Sequence, residues 1–142
     1  MEITKQFLDR VNENPLYTLL GIRIETVGDG TVRSSLQAAP GTCWPVAGQP
    51  HGGVLFTLMD TTMAWAAIVH PGVQDGTTVH LDIQYLRAAR NGPWSCEARV
   101  IHRTSRTCFL RAEIRDTTGE PVATGQGTYR TFPQTSSQFI VG

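Results

Sequence analysis

Between residues 54 and 69 the chain reads VLFTLMDTTMAWAAIV, and its apolar residues fall on every side of a helical cylinder. The run is shorter than the ~20 residues a membrane span needs, and Thr57 and Asp60-Thr61-Thr62 interrupt it. A helix this apolar has to be buried on most of its surface. A flat sheet covers only one side of it, so the rest of the chain has to supply strands that wrap around it.

The flanking sequence supplies strands. Residues 3–12 predict a short amphipathic helix with Ile3, Phe7, Leu8 and Val11 on one face. Pro15 opens a second helical turn to residue 20, and Gly21 ends it. Strand-like runs follow at 22–27 and 31–36, joined by Gly28-Asp29-Gly30, a hairpin signal. A loop rich in Pro and Gly covers 39–50 and leads through His51-Gly52-Gly53 into the apolar helix, which His70-Pro71-Gly72 terminates. Four strands are predicted after it, at 77–86, 94–102, 107–116 and 122–131. In the first, Val79, Leu81, Ile83 and Tyr85 alternate with His80, Asp82 and Gln84. Turns at 91–93, 103–106 and 116–120 predict that these four strands form an antiparallel meander. The pattern is that of an α+β fold in one domain, 1–142, with an N-terminal helical segment over 1–20 and a tail over 133–142.

Net charge is zero and only 17% of residues are charged, against 40% hydrophobic. Such a surface offers nothing to nucleic acid or an anionic membrane, and its low charge fits apolar area covered by a partner subunit. Cys43, Cys96 and Cys108 lack C-x-x-C spacing, which argues against a disulfide framework or a zinc site and fits a reducing cytoplasm. His70, His80 and His102 have no ligand-like spacing, so no metal is expected. The N-terminus carries acids and no continuous apolar stretch, unlike a signal peptide.

Asp60 is the anomaly, a carboxylate among Leu58, Met59, Met63 and Trp65. One reading is an Asp that faces solvent or bonds a neighbouring chain. The other is a poorly solvated, reactive carboxylate serving as nucleophile or general base. Gly52 and Gly53 allow a ligand to approach the helix start closely. The unsatisfied N–H groups there can hold a substrate carbonyl as negative charge develops on it. Eight residues separate Gly52 from Asp60, roughly 12 Å along a helix, so one carbonyl cannot touch both within one chain. A twofold, antiparallel pairing of two helices would bring Asp60 to the Gly52 end of a second subunit, which predicts an obligate dimer with composite sites.

The run HGGVLFTLMDTTMAWA resembles the hotdog-fold acyl-CoA thioesterases of the phenylacetate-pathway and 4-hydroxybenzoyl-CoA branch, in which an acidic residue stands nine positions after the His. The resemblance spans roughly residues 15–131 and is most specific at the helix. It implies a central helix wrapped by a curved antiparallel sheet, and hydrolysis of an aryl or medium-chain acyl-CoA with coenzyme A as part of the substrate and no separate cofactor. It implies that Asp60 attacks the thioester or activates water, that the Gly52 amide of the other subunit polarises the carbonyl, and that Thr78 helps place the carboxylate or the water. The Arg103-Thr104-Ser105-Arg106 turn stands where relatives hold nucleotide phosphates, and Arg87 and Arg90 are further cations. His51 is expected to organise the loop, while Trp44 and Trp65 are candidates for an acyl pocket. Relatives are commonly tetrameric. Many carry Asn or Gln six residues before the His, where this chain has Pro45; Gln49 is the nearby amide that could replace it. Ala64 lacks a hydroxyl that some relatives carry. The substitution at Pro45 motivates an alternative reading, a non-catalytic module that binds acyl-CoA; a dehydratase fits less well because His51 is in the wrong place.

Overall fold

The computed structural model describes residues 3–45 and 48–135; residues 136–142 of the tail lie outside them. The element order is α1 (Lys5–Val11), α2 (Pro15–Leu20), β1 (Ile22–Gly28), β2 (Thr31–Leu36), a 3-10 turn (Pro40–Thr42), α3 (Gly52–Ile68), β3 (Val73–Tyr85), β4 (Trp94–Arg103), β5 (Thr107–Arg115) and β6 (Pro121–Pro133). The six strands form one antiparallel sheet in the order β1-β2-β4-β5-β6-β3, and α3 packs against all of them. This is the hotdog architecture.

Every residue from Val54 to Ile68 is buried or half-buried. The fully buried ones (Val54, Leu55, Leu58, Met59, Thr62, Met63, Ala66 and Ala67) recur at helical spacing and face the sheet. Across from them stand Ile24, Val32, Leu36, Leu110, Ile114 and Val122, each at most 1% exposed. The N-terminal helices close one flank of α3. The Trp65 indole N–H donates to the Tyr17 hydroxyl at 2.9 Å, and Phe7 meets the Trp65 ring edge-on. Asn12 fastens the end of α1 to the sheet by accepting from Ile24 N–H at 2.8 Å and donating to Ile24 C=O at 2.9 Å.

Two features depart from the pattern read in the sequence. The last four strands are not a simple meander. β4, β5 and β6 are consecutive neighbours, but β3 pairs with β6, from Val73 opposite Pro133 to Tyr85 opposite Ala123. Both edges of β4 are taken, by β2 and β5, so the chain reaches β3 at the far edge by way of α3 and then crosses back through residues 91–93. β3 also starts earlier than predicted, because that pairing extends back to Val73.

The second departure lies within β3, whose register with β6 shifts between Thr78 and His80. The extra residue, Val79, is 63% exposed rather than inward. Beyond it Leu81 and Ile83 are half-buried while His80, Asp82 and Gln84 are exposed. The bulge thus switches the inward parity and lets both Thr78 and Leu81 face α3.

Gly125 and Gly127 on β6 set how closely the helix approaches. A Cβ on Gly125 would stand against the Met59 sulfur and 2.6 Å from the Asp82 carbonyl oxygen; one on Gly127 would stand 2.5 Å from the Met63 sulfur. At the far end of β3 and β6, Asp116 is buried and locks the β5–β6 turn. It accepts from Thr118 Oγ1 (2.6 Å), Thr118 N–H (2.9 Å), Glu120 N–H (3.2 Å) and the Arg87 guanidinium (2.7 Å). The Thr118 hydroxyl foremost, then the two amides and Arg87, hold its carboxyl below the usual range, against desolvation that pushes it up.

Two stability experiments follow. Gly125→Ala should destabilise the protein by about 1–3 kcal/mol in urea denaturation, and by more than Gly127→Ala, because a backbone carbonyl cannot swing aside as a Met side chain can. Asp116→Asn should lower Tm at pH 7. Because the native carboxyl titrates below its unfolded value of ~3.9, the contribution is complete above that value and is lost as pH falls through the lower native one. The Tm gap between wild type and variant should therefore close on acidification below pH ~4.

Candidate active site

Asp60 lies mid-way along α3, half-buried, on the helix stripe it shares with Phe56 and Ala64. Its Oδ1 accepts from the Thr78 hydroxyl at 2.7 Å and from the Tyr129 phenol. The phenol also reaches the Asp60 backbone carbonyl at 3.0 Å. Thr78 and Tyr129 are cross-strand partners in the β3–β6 ladder, so the two hydroxyls come side by side from adjacent strands. Among the described residues nothing donates to Oδ2. Tyr129 is 1% exposed, and its phenol is pushed well above its usual range by burial first and then by the adjacent carboxylate, so it stays protonated and donates.

The start of α3 is organised by His51. Its Nδ1 accepts from Gly53 N–H at 2.8 Å, so a neutral ring carries its proton on Nε2. Its carbonyl accepts from Val54 N–H at 2.8 Å. The ring stacks on Trp44, with centroids 4.9 Å apart and planes at 27°. The two glycines are therefore not equivalent: the Gly53 amide is taken by the cap, whereas the Gly52 amide has no hydrogen-bond partner among the described residues. The Tyr85 hydroxyl donates to Gly52 C=O at 2.7 Å, and its ring would be 3.4 Å from a Cβ at position 52. Gln49 is half-buried, with its carbonyl bound to Trp44 N–H and its side-chain amide uncommitted among the described residues. Pro45 is exposed in the same loop.

At the opposite end of α3 the sequence-predicted cations separate. The Arg103 guanidinium donates to the carbonyls of Ala67 (2.9 Å) and Ala66 (3.4 Å), capping the negative end of the helix. Thr104 shapes the hairpin by accepting from Thr107 N–H at 3.0 Å. Arg103, Thr104 and Ser105 border a shallow hollow of about 190 Å³ beside His70 and Thr131. Arg106 is exposed, and its guanidinium has no partner among the described residues. Arg87 is engaged by Asp116 and the Pro121 carbonyl. Trp65 packs against Tyr17 and Phe7, which makes it part of the flank closed by the N-terminal helices rather than an open pocket wall.

Tyr129 and Tyr85 were not among the residues singled out by sequence. The signal for Tyr129 was there: it shares strand parity with Gly125 and Gly127, and an inward Tyr needs a partner for its hydroxyl. Nothing in the chain order places that partner on α3.

The model of the thioesterase superfamily matches residues 48–123, more than half of the chain and including α3, Asp60 and Thr78. The chain belongs to that superfamily. Solved structures share this fold. A conserved protein of Pseudomonas aeruginosa, PA5202, is 33% identical over 84% of this chain and 94% of its own, with a TM-score of 0.76. The Escherichia coli PaaI protein, from the phenylacetic acid degradation operon, is 25% identical over 92% of this chain and 94% of its own, with a TM-score of 0.79. The thioesterase HI1161 of Haemophilus influenzae has the same fold, with a TM-score of 0.83 at 20% identity, over 94% of this chain and 93% of its own. No helix among the described residues of this thioesterase is long and apolar enough to cross a membrane.

The contrast between Arg103 and Arg106 is open to a direct test. Arg103→Ala should cost about 1–2 kcal/mol by loss of a charged cap on α3, whereas Arg106→Ala should leave the urea midpoint where it is. Equal midpoints for the two variants would remove the capping role.

Proposed function

We propose that this chain hydrolyses an acyl-CoA thioester carrying an aryl or medium-chain acyl group, with Asp60 as the reactive carboxylate. The observation that carries the reading is the state of Asp60: half-buried on the α3 stripe it shares with Phe56 and Ala64, it is held at one oxygen by two hydroxyls, and no described residue donates to the other. A carboxylate serving only to bind the sheet would have no use for a free oxygen on a half-buried face. The Gly52 amide, without a partner among the described residues and at the positive end of a long helix, suits the carbonyl oxygen as charge develops on it. In the reaction, water supplies OH to the acyl carbon and the C–S bond breaks. As a base, the carboxylate takes the remaining proton from water and passes it to the departing thiolate. As a nucleophile, it bonds the acyl carbon as the thiolate leaves, and water then cleaves the resulting anhydride and supplies the thiolate's proton. Either way the products are the free acid and CoA thiol.

Within one chain the two groups stand roughly 12 Å apart along the helix, which supports a twofold dimer in which Asp60 works opposite Gly52 of the partner subunit. β3 is an open sheet edge, with Val79 63% exposed and Tyr85 and Leu86 about half exposed. Pairing α3 antiparallel with its copy also brings the C-terminal end of one helix toward the partner's site. The Arg103–Arg106 turn is then the place for the nucleotide phosphates, with Ser105 and Arg106 as its uncommitted groups. The outer sheet face mixes Arg99, Arg111 and Arg115 with Asp82, Glu97 and Glu113 around a broad hollow, which suits a further, dimer–dimer contact. Cytoplasmic acyl-CoA pools are the matching substrate source.

Release of free thiol from benzoyl-, phenylacetyl-, hexanoyl- and palmitoyl-CoA tests the proposal. Wild type should turn over at least one of them, and Asp60→Ala should lose about 10²–10⁴ in kcat with its circular dichroism intact. Tight acyl-CoA binding with no turnover by wild type would instead establish the non-catalytic binding module that Pro45 suggests.

A further inference from the structure

Two hydroxyls converge on one oxygen of Asp60, from Thr78 on β3 and Tyr129 on β6. Thr78 belongs to the site already described. Tyr129 has no role assigned yet: it sits on β6, far along the sequence, 1% exposed and with no access of its own to a substrate. Its surroundings are apolar and small. Gly127 lies beside its ring, and Cys108 is its neighbour on β5, at 0% exposure. A phenol in such a place needs an acceptor, and the acceptor it has is Asp60, through both the side-chain Oδ1 and the main-chain carbonyl.

This geometry breaks the symmetry of the carboxylate. Hydrogen-bond donation to Oδ1 draws negative charge there and fixes the rotation of the carboxylate plane. The other oxygen, Oδ2, receives nothing from the described residues. We infer that Tyr129 is a positioning residue of the thioesterase: together with its cross-strand partner Thr78 it immobilises Asp60 by Oδ1 and thereby assigns Oδ2 as the oxygen that meets water or the acyl carbon. This inference rests on the acyl-CoA hydrolase reading above and specifies how its carboxylate is aimed.

A reacting group held in one orientation gains rate over one that rotates among several, with little effect on how substrate binds. Tyr129→Phe keeps the ring and its packing and removes only the hydroxyl. It should lower kcat by about tenfold to a hundredfold and leave KM within about twofold. Thr78→Val should act in the same direction, and Thr78→Ser, which restores a hydroxyl at the same place, should recover most of the rate. Because both residues work through Asp60, adding Tyr129→Phe to Asp60→Asn should slow the residual rate no further.

The outcomes separate cleanly. A Tyr129→Phe enzyme with wild-type kcat, beside an inactive Asp60→Ala, overturns the positioning role and leaves the carboxylate reading standing. So does a rate loss of equal size in the Asp60→Asn background, or a loss that appears in KM instead of kcat, because either belongs to general packing. If Tyr129→Phe does not fold, the Thr78→Val and Thr78→Ser pair decides: equal rates for the two, both at wild-type level, count against aiming by Oδ1. Full turnover by Asp60→Ala would instead refute the parent reading.

Discussion

The sulfur atoms of Met59 and Met63 occupy the space that side chains at 125 and 127 would fill if β6 carried anything but glycine there. That absence lets α3 lie directly on β6, and the next inward residue of the strand, Tyr129, then falls within hydrogen-bonding reach of Asp60. The contact is a packing constraint first. Interiors are close-packed, so a helix displaced by the width of one methyl group carries every side chain on it by a comparable distance. A hydrogen bond does not survive that displacement. The chemistry proposed for Asp60 is therefore built on two glycines that touch no substrate.

Burying half of a carboxylate is costly unless donors replace the water it loses. Here the donors come from a local irregularity in an otherwise regular sheet. The bulge at Val79 lets Thr78 face the helix while Leu81 and Ile83, three and five residues on, face it too. Without the extra residue, one of these requirements would fail: either the hydroxyl or the two apolar side chains would turn to solvent. The bulge thus reconciles a polar demand at the site with an apolar demand in the core.

The two ends of α3 are settled by different means. His51 closes the first turn with its ring and takes up the Gly53 amide, which leaves Gly52 as the amide with no partner among the described residues. Arg103 closes the last turn from β4, converting a cation that the sequence suggested for phosphate into a structural cap. Capping at one end and an uncapped N–H at the other leave the positive end of the helix as the place where an anion is best received.

The sequence by itself determined the elements and the anomaly. An apolar helix too short for a membrane, strands of alternating pattern and Gly- or Pro-marked turns follow from short-range periodicity, and those features gave the α+β class and most element positions. Asp60 was legible because a carboxylate in such a helix violates the rule its neighbours obey, and Gly52 because glycine at a helix start allows close approach. What only the tertiary structure decided depends on contacts between residues far apart in the chain. The placement of β3 beside β6, the bulge that turns Thr78 inward, the Tyr129 hydroxyl on Asp60 and the Arg103 cap all join segments that no local pattern links. Periodicity reports which face of an element is buried. It does not report which neighbour that face meets, and the aim of the carboxylate is set by the neighbour.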